Sequence, residues 1–115
     1  MEKENFRKDE RIRKRGEFLI IYKRGVRRHS ENFTVIVFKN RGENKRLGIA
    51  VSKKVGDAVK RNRIKRLVRE FFRLNKHRFP SSQDIVIIGK KFLPTLTYKD
   101  VRVELESLLI NKSDS

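Results

Sequence analysis

A chain of 115 residues with 37% hydrophobic content has room for one domain with a modest core. Its 31 Lys and Arg against 14 Asp and Glu leave a formal charge of +17, which repels itself unless a polyanion neutralises it. The absence of Cys excludes disulfides, thiolate metal sites and a cysteine nucleophile, and no apolar run approaches the roughly 18 residues of a membrane span. Nucleic acid is the first candidate partner, and an anionic membrane surface the second.

Residues 1–13 alternate acids and bases, with only Phe6 and Ile12 apolar after Met1. They read as a charged, mobile arm rather than a secretory signal, which fits a cytoplasmic protein. Residues 17–24 form a short helix closed by Gly25, a residue that tolerates the left-handed conformation of a helix C-terminus. A weak strand signal covers 26–30. Residues 33–38 and 47–52 are strands rich in β-branched and aromatic side chains. Asn40, Gly42 and Asn44 lie between them, so an antiparallel hairpin is expected.

The longest helix spans about 57–76, with Asp57 placed to accept backbone N–H bonds at its start. Residues 84–89 make a strand of continuous apolar character, suited to a central position covered on both faces. A final helix runs from 98 to 110, opened by Thr97 and Asp100 in the spacing of a capping box. Its stripe is Val101, Leu105, Leu108 and Leu109. Residues 111–115 read as a frayed tail. The whole chain, 1–115, is therefore an α+β single-domain sandwich in the order αβββαβα, with one mostly antiparallel sheet.

The long helix carries the most information. With Ile64 at zero and about 100° per residue, Leu67, Val68, Phe71, Phe72 and Leu74 fall on its side, while Asn62, Lys65, Arg66, Arg69 and Arg73 fall opposite. Glu70 is the only acid between Ala58 and Lys76. A solvated helix mixes signs one turn apart, whereas Lys65–Arg69 and Arg69–Arg73 set like charges together. A phosphate backbone turns that repulsion into binding, and the arginine fork suits bidentate phosphate contact. Charge alone does not separate RNA from DNA.

The run Val51-Ser52-Lys53-Lys54-Val55-Gly56, then Ala58-Val59-Lys60-Arg61-Asn62-Arg63-Ile64-Lys65-Arg66, resembles the signature of the bacterial ribonuclease P protein subunit family. The likeness continues in Arg15-Gly16-Glu17-Phe18, Tyr22-Lys23-Arg24-Gly25, Arg46-Leu47-Gly48-Ile49 and Leu96-Thr97-Tyr98, covering residues 10–110. It implies an α-β sandwich shared with a domain of elongation factor G and a ribosomal protein, including a left-handed strand–helix–strand crossover against the usual hand. It further implies a cytoplasmic monomer, one per catalytic RNA, in an enzyme that removes the 5′ leader of precursor tRNA. The catalytic groups and Mg²⁺ would belong to the RNA, with no cofactor on the protein. Lys54, Arg61, Asn62, Arg63, Lys65, Arg66, Arg69 and Arg73 would bind the catalytic RNA. Phe18, Tyr22, Ile36, Ser52 and Lys53 would hold the leader in a cleft between the first helix and the sheet. Ile36 stands where the family often has an aromatic.

The residues themselves fit such a cleft. Phe18 and Tyr22 lie one helical turn apart, as stacking platforms for unpaired bases or as core residues. Gly48, Ala50 and Ser52 share one side of their strand, leaving open sheet surface or lying under a packed helix. No catalytic constellation is visible: Asp57 and Asp100 read as caps, Asp84 starts a strand, and His29 and His77 read as surface residues. The alternatives are a structural rRNA-binding protein and, further off, a DNA-binding regulator, which would need a helix–turn–helix and a dimer interface.

Overall fold

The structure, a computed structural model, describes residues 10–110. Its elements are α1 (Arg15–Arg24), β1 (Val26–His29), β2 (Phe33–Lys39), β3 (Arg46–Ala50), α2 (Ala58–Asn75), a 3-10 turn at Lys76–Arg78, β4 (Gln83–Gly89) and α3 (Tyr98–Leu109). Residues 1–9 of the expected arm, and the expected tail at 111–115, lie outside the described residues.

The sheet order is β1-β2-β4-β3. β2 is antiparallel to both β1 and β4, and β3 is parallel to β4. The expected hairpin between β2 and β3 therefore does not form, because β4 inserts between them. The continuous apolar run Ile85 to Ile88 needs cover on both faces and a pairing partner on both edges, and the central position supplies them. Asp84, only 3% exposed, locks the insertion. It accepts two bonds from Arg46 at the start of β3, each 2.8 Å, and one of 2.7 Å from Asn40 just past β2. A residue read as a strand start is thus a buried clamp across three strands.

Helices cover both faces. On one side Phe33, Val35, Leu47, Ile85 and Ile87 meet Ile64, Val68, Phe71 and Phe72 of α2 and Val101, Leu105 and Leu108 of α3. Phe79 adds a third ring, 6.2 Å from Phe71 and 5.8 Å from Phe72. On the other side α1 packs Ile21 onto Ile36 and Val86, with Ile12 beside them.

The starts of α2 and α3 match the sequence reading, while α1 begins two residues earlier, at Arg15. Asp57 accepts from the Lys60 N–H at 2.9 Å, and Thr97 and Asp100 exchange both bonds of a capping box. Three details differ. Leu74 is 38% exposed, and Asn75 takes the buried place beside it. The helix gives way to the 3-10 turn there, so the Asn75 amide donates to the Phe71 carbonyl and accepts from Arg78, both at 3.0 Å. Gly25 has φ −73°, an ordinary extended backbone. Glycine is needed there for space, since a Cβ would stand 2.4 Å from Ile36 Cγ2 and 2.8 Å from the Ile21 carbonyl oxygen. Residues 10–13 are no loose arm: Ile12 is 5% exposed, its N–H bonds the Leu47 carbonyl at 2.9 Å, and Glu10 pairs with Lys76 at 2.9 Å. This segment covers the outer edge of β3.

Candidate RNA-binding surfaces

Because Ile64, Val68, Phe71 and Phe72 fix one side of α2 in the core, the opposite side must face outward, and it is cationic. Asn62, Arg66 and Arg69 are exposed, and Lys65 is half-buried between them. The other basic residues named for this helix are tied down. Arg61 donates to the Gly56 carbonyl at 3.2 Å, and Arg63 reaches the Leu96 carbonyl at 2.9 Å, toward the α3 side. Arg73 is paired with Glu70 at 2.7 Å. Lys54 is exposed in the turn that precedes the helix. The outward set thus narrows to Asn62, Lys65, Arg66 and Arg69, with Lys54 at one end.

Lys65 and Arg69 also belong to a second grouping. With Arg11, Arg13, Phe18 and Gly48 they line a concavity of about 180 Å³ at the edge of β3. Arg11 and Arg13 were missed by sequence reading, which placed them in a mobile arm. The signal that could have found them is Ile12, an apolar residue between two arginines, able to anchor its neighbours.

The strand register builds the other surface. Arg27, Ile36, Val86 and Gly48 form one row across the sheet, and His29, Thr34, Ile88 and Ala50 form the next. The first row lies under α1. A Cβ on Gly48 would stand 2.8 Å from Cε1 and Cζ of Phe18, so Gly48 makes room for that ring rather than leaving an open floor. Ile36 is 0% exposed beneath the α1–β1 junction, which corrects its assignment as a leader-contacting residue. In the second row Ile88 and Ala50 are half-buried, and His29 Nδ1 lies 3.0 Å from Thr34 Oγ1, so this histidine is not without a partner. Ser52 and Lys53 are exposed just past the end of β3.

Phe18 and Tyr22 stand at the rim of this face. Their rings meet edge to face, with centroids 6.3 Å apart, and both are half-buried. They pack against Ile36 and Val86 while keeping part of each ring in solvent, which joins the two roles left open above. The Arg27 guanidinium lies 5.9 Å from the Tyr22 ring centre and donates to the Tyr22 carbonyl at 2.7 Å. α1 is held at this angle by Glu17, which takes a 3.1 Å bond from Arg46. Asp84 first, and Glu17 with it, raise the Arg46 pKa above its ordinary value, so the brace stays charged.

Several acids of the described residues have structural roles. Asp57 and Asp100 cap helices, Asp84 clamps strands, and Glu104 accepts from Ser30 and from both nitrogens of Asn32. Among the described residues no three His, Asp or Glu side chains gather in a way that would hold a metal ion, and no helix is long and apolar enough to cross a membrane.

An α+β sandwich with a cationic helix on one side and an aromatic-rimmed sheet face on the other defines an RNA-binding protein. The profile of the family Ribonuclease P matches residues 6–112. The chain is 55% identical over 109 residues to the ribonuclease P protein component of Syntrophus aciditrophicus, covering 95% of this chain and 92% of that one. It is 47% identical over 90 residues to the Thermotoga maritima protein component, covering 78% and 77%. The solved ribonuclease P protein of Thermotoga maritima superposes with a TM-score of 0.79 at 43% identity, covering 87% of this chain and 94% of that one. That of Staphylococcus aureus gives 0.79 at 37%, covering 85% and 90%. The chain belongs to the ribonuclease P protein family.

Proposed function

We propose that this chain is the RNA-binding subunit of a ribonuclease P holoenzyme, which cleaves precursor tRNA to release the 5′ leader. The reading rests on membership of the family, together with the division of the molecule into two surfaces. Asn62, Lys65, Arg66 and Arg69, with Lys54, dock on the catalytic RNA. Phe18 and Tyr22, with Ser52 and Lys53, take the unpaired leader beside the half-buried Ile88 and Ala50. The observation that carries this division is the half-exposed Phe18–Tyr22 pair on α1, on the sheet face opposite the one that α2 covers, with the two surfaces meeting at the β3 edge where Phe18, Lys65 and Arg69 share a concavity.

No residue of the chain performs the cleavage; Mg²⁺ and the reacting groups belong to the RNA. The protein works in the cytoplasm as a monomer, one per RNA. Its cations offset phosphate repulsion between catalyst and substrate, which lowers the Mg²⁺ the complex needs. A structural rRNA-binding role and a DNA-binding regulator find no support among the relatives. The test is cleavage of precursor tRNA by the catalytic RNA at low Mg²⁺, with and without this protein. Cleavage is expected only with it, and equal rates in both arms would reject the role.

A further inference from the structure

Phe92 breaks two rules at once. Its φ is 57°, in the left-handed region that strains a bulky side chain, and the residue is 82% exposed. Its surroundings show how this comes about. Leu93, the next residue, is 2% exposed in the main core, and the Phe92 N–H is held by the Lys54 carbonyl at 3.1 Å. The left-handed residue turns the loop so that Leu93 points in and Phe92 points out. Glycine or asparagine would make that turn without strain, yet an aromatic stands there.

Cations outnumber acids around Phe92, where Asp57, at the start of α2, and Glu31, beside the Lys90 contacts, are the neighbouring carboxylates. Lys53, Lys54 and Lys91 are exposed, and the Lys90 ammonium rests on the Ser30 carbonyl. No Asp or Glu occurs from Ile85 to Lys99, or from Lys45 to Gly56. β3 and β4 run parallel toward this end, with Ala50 beside Ile88, so the ends of both strands lie toward it. From Gly48, under the Phe18 ring, to Ser52 is about 13 Å at roughly 3.3 Å per residue, and the Lys54–Phe92 contact lies beyond.

We propose that Phe92 is a further stacking platform for an unpaired base of the RNA leader, several nucleotides past those at Phe18 and Tyr22, with the flanking phosphates met by Lys53 and Lys91. The proposal rests on the leader reading given above. A lone aromatic among cations suits a single strand, because a duplex offers no free base face along its length. Leu19, Ile20 and Val26 belong to α1 and its junction with β1, and Val59, in the first turn of α2, is an aliphatic neighbour that offers no stacking face.

The experiment compares Phe92→Gly, Phe92→Leu and Phe92→Trp with the parent, each assembled with the catalytic RNA. Substrates are precursor tRNAs with leaders of increasing length and a leaderless tRNA. Phe92→Gly releases the backbone strain, so its Tm should be unchanged or higher. Its affinity for long leaders should fall by about fivefold to a hundredfold, the range for losing one stacked base. Phe92→Leu should fall likewise, Phe92→Trp should bind at least as well as the parent, and leaderless or short-leader substrates should not change. An unchanged affinity for long leaders, an equal loss without a leader, full binding by the leucine variant, or a lower Tm for the glycine variant each overturns the proposal. Tyr22→Ala is run alongside. If it shows leader-dependent loss while Phe92→Gly does not, only the Phe92 platform fails; if neither does, the leader groove fails with it.

Discussion

The ring of Phe18 occupies the space that a side chain at Gly48 would need, with Cε1 and Cζ both 2.8 Å from the position of a Cβ there. One glycine on β3 thus sets how closely α1 approaches the sheet, and with it the height of the aromatic rim. Gly48→Ala should push Phe18 outward. We expect a stability loss of about 1–3 kcal/mol from overpacking, together with altered affinity for precursor tRNA and unchanged affinity for the catalytic RNA. Binding of both RNAs, with thermal melts of the free protein, checks the outcome.

Arg66→Ala and Arg69→Ala should weaken binding to the catalytic RNA while leaving the fold intact, since both side chains are exposed on α2. Each lost phosphate contact should flatten the log–log salt dependence by roughly 0.7–0.9. Arg73→Ala should do less, because Glu70 already partners it. Ile64→Ala, on the buried side, should cost about 2–5 kcal/mol of stability. Salt titrations of affinity separate the two sides, and early melting of the arginine variants would mean the sides are reversed.

What the sequence makes legible follows from local physics. The alternation and apolar runs of β2 and β4, the Asp57 cap, the Thr97–Asp100 box and the two sides of α2 are each decided within a few residues, so pattern suffices. The order of strands is not local. β3 pairs with β4 rather than β2 because Asp84 draws Arg46 and Asn40 to it across some 40 positions of chain, and no hairpin signal in the intervening loop could reveal that. The same holds for Ile12, whose partner Leu47 lies on a distant strand, and for Ile36, buried only because Gly25 lets the α1–β1 junction sit on it. In the candidate site, the aromatic pair and the basic helix were visible as patterns. Arg11, Arg13 and the exposure of Phe92 depend on tertiary placement and were not.

Asp84→Ala should be among the most destabilising single changes, because it strips Arg46 and Asn40 of their shared partner. Breaking a buried pair costs about 3–5 kcal/mol; Arg46 keeps 26% of its side chain in solvent, which argues for the lower end. α1 should loosen as well, since Glu17 is braced by the same arginine. Chemical denaturation gives the stability, and fluorescence anisotropy of a labelled leader reports the weakened groove.

Acid should unfasten α3. The Thr97 backbone bond, and then its hydroxyl, hold the Asp100 pKa below its ordinary value of 3.8. A carboxyl with a depressed folded pKa stabilises the fold above its unfolded pKa, and that contribution fades as pH falls through the folded one. Thr97→Ala should cost about 1 kcal/mol at neutral pH. Asp100→Asn should flatten the stability–pH curve below about pH 4. Identical curves for the Asn variant and the parent would remove Asp100 from the acid response.

Ile36 supplies the sharpest contrast between a reading by resemblance and a reading by contact. If an aromatic at this position lined the groove, Ile36→Phe would strengthen binding to leader-bearing precursor tRNA. The structure gives the opposite expectation. Ile36 is fully buried, its Cγ2 presses on Gly25, and Ile21 and Val86 pack in the same cluster. A phenyl ring has no free volume there and must displace the α1–β1 junction, at a cost of about 1–3 kcal/mol. Phe18 and Tyr22 ride on α1, so the rim would move with it, and affinity for leader-bearing substrate should fall rather than rise. Ile36→Val tests the same site from the other side: it should cost only about 0.5–1.5 kcal/mol and leave leader binding unchanged. Melting curves and leader-bearing against leaderless binding, measured on both variants, decide between the two. A gain in leader affinity by the Phe variant at undiminished Tm would show that the junction opens in solution and that Ile36 lies in the groove after all.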